Sequence, residues 1–203
     1  MPLTSRHAFS LLCALLAAGA LSLWWTGVAD APHASPWLWQ ATHWRNAPWT
    51  LWSAALVHDS GAHLLANALA LAALAVLGTA LGATRSDALA LLLAWPLSTI
   101  ALLTWPAVQA YYGLSGVVHA AAAVLALRGM AQPGSRSIGV VMAVGLLAKL
   151  LLERGWATPI GFDGRWGFNV AYAAHLTGAA TGTLAALVLQ AAGHLAPRSA
   201  RGS

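Results

Sequence analysis

The sequence predicts an all-α membrane protein, a bundle of six transmembrane helices, and three observations carry that expectation. Of its 203 residues, 59% are hydrophobic and 7% charged, against roughly 25% charged in a soluble domain, so the chain cannot cover a water-facing surface. Its mean hydropathy is +0.69. Apolar segments recur along the chain, and at about 20 residues per bilayer span, six or seven helices with short loops fill the length. Residues 1–203 are therefore read as one membrane domain with no separate soluble unit, and any activity must sit in or at the bilayer. Ten Lys and Arg against five Asp and Glu give a formal charge of +5. The basic residues are dispersed, which excludes a nucleic-acid partner and makes them topology signals. The single cysteine, Cys13, lies in an apolar run, so neither a disulfide framework nor a cysteine metal site is expected. No cofactor and no bound metal are expected either.

The first span, 8–28, follows Arg6 and contains Ala18-Gly19-Ala20, a small-residue pattern that a cleaved signal peptide would also show. Its apolar run continues to Trp24-Trp25, a pair suited to the membrane interface, so a retained helix is the preferred reading. The second span covers 60–81 and the third 88–105, with a kink expected at Pro96. The fourth covers 115–128, the fifth 137–152 and the sixth 169–192. With six spans the two termini share a side. The terminal segments and the loops after spans two and four hold Arg6, Arg85, Arg128, Arg136, Arg198 and Arg201. The opposite side holds Arg45, Arg154 and Arg165, with Lys149 nearby in the fifth span. The positive-inside rule then places both termini in the cytoplasm. Asp30, Asp59, Glu153 and Asp163 fall on the outer side, and every Trp except Trp95 lies at or near an outer span end, as an aromatic belt requires.

Polar groups at membrane depth are costly and therefore mark function. The second, fourth and sixth spans all run from outside to inside, and each carries polar residues near its start. These are His63 and Asn67, Ser115 and His119, and His175. Three helices thus deliver polar side chains to a similar depth. The fourth span is short: 115–127 gives about 20 Å at 1.5 Å per residue, against a hydrocarbon core of about 30 Å. Ser115 is then recessed roughly 10 Å below the outer boundary, and 106–114 must descend as irregular backbone. Such backbone is tolerated only where it is buried in protein or lines a wet cavity, so a water-filled pocket opening outward is expected.

Gly113-Leu114-Ser115-Gly116 lets a tight turn feed a helix start and leaves the hydroxyl unobstructed. The helix N-terminus offers unpaired N–H groups to a developing oxyanion. In the sixth span, His175 precedes Gly178 and Gly182, a Gly-x-x-x-Gly face that allows a close helix approach. His63 and Asn67 stand at i and i+4 on one face of the second span.

Together these three motifs resemble the rhomboid family of intramembrane serine proteases, over about 43–193. The family pattern is a G-x-S-G serine starting the fourth helix, an H-x-x-G-x-x-x-G histidine in the sixth and an H-x-x-x-N pair in the second. Ser115, His175, His63 and Asn67 match it. Trp44-Arg45 is similar to the family's W-R element, and His58 to the family histidine upstream of the pair. Many rhomboids carry an aromatic four positions after the serine, stacked on the catalytic histidine, whereas this chain has His119. The run Gly-Leu-Ser-Gly-Val-Val-His and the minimal length resemble the rhombosortase branch, thought to process proteins with a C-terminal Gly-Gly plus transmembrane tail. The resemblance implies a six-helix rhomboid-like bundle in a bacterial inner membrane, with its active site opening to the periplasmic side and transmembrane proteins as substrates.

It further implies that Ser115 attacks the scissile carbonyl with His175 as general base and then acid. No third triad member is evident in the sequence. The oxyanion would be held by the Ser115 N–H with His63 and Asn67, each donor worth about 3 kcal/mol of barrier. Plainer roles stand beside these. An intramembrane serine commonly bonds back to its i−4 carbonyl, Asn67 can glue helices, and Gly113, Gly116, Gly178 and Gly182 act as turn and packing residues. His119 can stack on His175, tune it, or bond a neighbouring carbonyl. His7, His33, His43 and His194 read as surface residues. No H-E-x-x-H exists for a metalloprotease, and the spans hold no Asp pair for an aspartyl protease. The non-protease alternative is a zinc or proton transporter using His58, His63, His119 and His175 as an ion path.

Overall fold

The computed structural model describes residues 7–27, 35–164 and 167–195. Arg6, Val28, Asp30, His33, Arg165, Arg198 and Arg201 lie outside them, as does the His194 side chain. Helix α1 spans Ala8–Trp24 and ends in a turn where the Thr26 hydroxyl donates to the Leu23 carbonyl. A crossing segment follows, with strand β1 (Trp39–Gln40) and the short helix α2 (Thr50–Ser53). Helix α3 (Gly61–Ala80) starts where the Ser60 hydroxyl accepts the His63 N–H, a side-chain N-cap. Helix α4 (Arg85–Ala101) starts on a Thr84–Asp87 capping box. Strand β2 (Ala110–Tyr111) then leads to α5 (Ser115–Met130) and α6 (Arg136–Glu153). A hairpin of β3 (Gly161–Asp163) and β4 (Phe168–Val170) precedes α7 (Tyr172–Leu195).

Four helical segments, Gly61–Ala80, Arg85–Thr104, Pro133–Glu153 and Tyr172–Gly193, are long and apolar enough to cross a bilayer, and Ala8–Trp24 and Ser115–Met130 are shorter apolar helices. The chain is a multi-pass helical membrane protein. Helix α5 is its axis, packed among α3, α4, α6 and α7 and burying Val117, Ala120, Ala121, Val124 and Leu125. Small residues set its approach to α7. A Cβ on Gly178 would overlap the Gly116 carbonyl, and one on Gly182 would lie 2.6 Å from the Ala120 carbonyl oxygen. At the end of α5 away from Ser115, Arg128 donates to the Gly82 carbonyl at 2.7 Å and Gln132 to the Leu81 carbonyl at 2.8 Å. Helix α6 stands apart, with 6% of its apolar window buried.

The structure corrects several expectations. The fold is not purely α: β1 pairs antiparallel with β2, and β3 with β4. The first pairing satisfies backbone in 106–114, which was expected to be irregular. The second takes 169 and 170 out of the sixth span, because Gly164 and Gly167 (φ +76°) turn the chain and the aromatic and β-branched 168–170 then extend. The proline at which a kink is expected does not break α4, which runs on through Pro96 to Ala101. Buried Ala90, Leu91, Ala94, Ser98 and Thr99 clamp it on both sides of the proline. Trp95 sits inside the bundle wall, its indole donating to the Trp52 carbonyl at 3.0 Å. Helix α6 runs one residue past the expected end, to Glu153.

Candidate active site

The turn before α5 is built on Gly113. Its φ of +106° suits glycine alone, and a Cβ there would lie 2.9 Å from the His63 ring. Its N–H donates to the Ala54 carbonyl at 2.9 Å. The Tyr111 hydroxyl donates to the Gly113 carbonyl at 2.6 Å and accepts the Gly116 N–H at 3.2 Å. Burial pushes this hydroxyl up to about 12, so it stays protonated and keeps the turn tied. Ser115 is thereby fixed as the first residue of α5.

Ser115, His63, Asn67, His119 and His175 line one cavity of about 170 Å³. A second cavity of about 230 Å³ also reaches Ser115 and His63 and runs between β2 and β4. The hydroxyl therefore stands where the two spaces meet. The His175 ring bonds Glu153, with Nδ1 2.7 Å from Oε2. Ser115 from α5 and His175 from α7 line the same cavity without a direct bond between them.

The His119 ring is stacked on His175, with centroids 4.1 Å apart and planes at 10°. Its Nδ1 donates to the Ser115 carbonyl at 2.6 Å, since a carbonyl can only accept. His119 thus stacks and also bonds a carbonyl, two of the three roles the sequence left open.

Asn67 is oriented by a chain of hydrogen bonds. His58 Nδ1 lies 3.3 Å from the Leu56 carbonyl and must donate to it. His58 Nε2 is then an acceptor, and the Asn67 amide nitrogen donates to it at 3.2 Å. Burial lowers His58 to about 3, which keeps it neutral and fixes that tautomer. That bond takes one amide hydrogen of Asn67, and Asn67 also lines the cavity. On the same helix, His63 Nδ1 lies 3.2 Å from Asp59 Oδ1.

Gly113 and Gly116 flank the serine, and Gly178 and Gly182 make the α5–α7 contact. Trp44 and Arg45 do not line the cavity; the guanidinium sits 5.6 Å from the Trp44 ring. Sequence reasoning missed Glu153, Asp59 and Tyr111. No third member beside His175 is evident in the sequence; in the fold, the Glu153 carboxylate reaches the His175 ring from α6. The available signal was Lys149 and Glu153 at i, i+4 in an otherwise apolar helix, where an ionisable residue points to function. His119, Glu153 and His175 offer ligand atoms within 4.8 Å of one another. The stacked imidazoles direct their lone pairs in near-parallel planes that do not meet at one ion, and the Lys149 ammonium already sits on the carboxylate.

A family model for the Rhomboid domain matches residues 45–192, well over half of the chain. No curated protein matches it.

Proposed function

This chain belongs to the rhomboid family, a family of intramembrane serine proteases, and we propose that it cleaves membrane-anchored proteins near the outer face through a Ser115–His175 dyad. The observation that carries the reading is one cavity lined by Ser115 from α5, His175 from α7 and His63 with Asn67 from α3. The Ser115 hydroxyl attacks the scissile carbonyl and passes its proton to His175 Nε2, the nitrogen not engaged by Glu153. The tetrahedral oxyanion is held by the Ser115 N–H, the Asn67 amide and His63 in its doubly protonated form, whose Nδ1–H bonds Asp59 and whose Nε2–H donates to the oxyanion. His175 then protonates the leaving amine, and water hydrolyses the acyl-enzyme with His175 again as base. The two strand pairs flank an opening through which a locally unwound substrate helix reaches Ser115. All six apolar helices, the four long ones and the two shorter ones, cross the membrane of a bacterial cell in a single domain, both termini cytoplasmic and the cavity opening to the periplasm.

The substrate class we propose is a protein tail with Gly-Gly before a transmembrane segment, as in rhombosortases. The run Gly-Leu-Ser-Gly-Val-Val-His at 113–119 supports it. Co-expression with a Gly-Gly-tailed, membrane-anchored reporter tests it. The expected result is release by wild type and none by Ser115→Ala. Cleavage of other transmembrane reporters without release of the Gly-Gly protein would assign a general rhomboid protease instead. The ion-path alternative is disfavoured by placement. His58, His63, His119 and His175 gather at one end, and no carboxylate, imidazole or ammonium continues along α5 or α7 between His175 and Arg128.

A further inference from the structure

We infer that Glu153 is the positioning residue for His175, an inference that rests on the protease reading above. Its carboxylate holds the imidazole in the Nδ1–H tautomer and balances the imidazolium formed when Ser115 gives up its proton. The carboxylate meets His175 Nδ1 on the cavity that Ser115 also lines, the acid coming from a separate helix and 22 residues before the histidine. The proton moves from Ser115 Oγ to His175 Nε2 as the Oγ–carbon bond forms, and Glu153 stays ionised throughout.

Several features hold the carboxylate in place. Oε1 takes the Lys149 ammonium while Oε2 takes His175 Nδ1, so both oxygens are engaged. Helix α6 stops at Glu153 because Arg154 adopts the left-handed conformation, φ 52°. Gly155 then packs on the start of α7, where a Cβ would lie 2.5 Å from the Tyr172 carbonyl oxygen. The end of α6 is thus docked three residues before His175. His119 covers one face of the imidazole, Tyr172 meets it edge-on at 6.0 Å, and Glu153 fixes it in its own plane. Helix α6 is otherwise the least buried of the bundle's long helices. A carboxylate at its outer end is expensive unless its partner makes use of it.

A plainer role is possible for such a group: Glu153 and Lys149 could merely pin α6 to the rim. Two readouts separate these roles in the purified full chain. The first is turnover of a Gly-Gly-tailed reporter. Positioning predicts that Glu153→Gln lowers kcat by about 100- to 10,000-fold at unchanged KM, because the interaction matters only in the transition state. A wild-type kcat in a folded Glu153→Gln protein would overturn the inference. The second readout is the ¹⁵N spectrum of histidine-labelled protein, with His175→Gln used for assignment. Wild type should show the Nδ1–H tautomer, and Glu153→Gln a shift toward Nε2–H. A wild-type Nε2–H tautomer would overturn the inference. This second measurement needs no turnover, so it decides the matter even where wild type proves inactive on every substrate and the protease reading itself fails.

Discussion

Asn67 can serve an oxyanion because His58 is neutral: a protonated His58 would have no lone pair to take the amide hydrogen that orients it. That neutrality has a stability consequence. His58 binds a proton near 6.5 when unfolded and only near 3 in the fold, because burial disfavours its charged form. Its contribution is complete above pH 6.5 and is lost as pH falls toward 3. Melting in detergent at pH 7.5 and 4.5 should therefore show a larger drop for wild type than for His58→Asn; equal drops would contradict this. His119 has a separable role. His119→Phe keeps the stack on His175 and should retain most turnover, whereas His119→Ala loses a contact worth about 1 kcal/mol, roughly fivefold in kcat/KM. That Ser115, His175, His63 and Asn67 come together at one cavity was legible in the sequence, because each is polar at one depth of an apolar chain. Glu153 was not, since its partner is 22 residues away on another helix and it lies one residue past where the apolar pattern stops.

The approach of α5 to α7 decides whether the site exists at all. Gly178→Ala places a methyl group on the Gly116 carbonyl, and overpacking of this kind costs about 1 to 3 kcal/mol. The expected outcome is a lower unfolding midpoint together with loss of turnover. Gly145→Ala on α6 is the matched control, because a Cβ there meets nothing within 4 Å; it should not lower the midpoint. Equal effects of the two would argue against the close approach. Helix existence was readable from apolar runs, and the start of α5 at Ser115 from its Gly-flanked turn. The strand pairs were not readable. Strands of two or three residues have too little period-2 pattern to register, and their pairing joins segments such as Trp39 and Tyr111 that are far apart in sequence.

Across the whole molecule, charge and polarity separate toward opposite ends. Arg128, Asp87 and Gln132 tie α3, α4 and α5 at one end, while His63, His119, His175 and Glu153 line the cavity at the other, with Asp59 bonded to His63. Six crossings follow if α1 and α5 also span, which cysteine accessibility can test. In a Cys13→Ser background, a cysteine at Gly164 should react with a membrane-impermeant maleimide from the periplasm, and one at Gly134 should not. The reverse pattern would invert the topology. Composition made the membrane class legible, and the motifs made the family legible; the charge network at the outer rim needed three dimensions. The most direct test of the central claim is labelling with a serine-reactive fluorophosphonate. Wild type should label on Ser115, and labelling should vanish in both Ser115→Ala and His175→Ala. Folded wild type that resists the probe, or labelling that persists without Ser115, would contradict it.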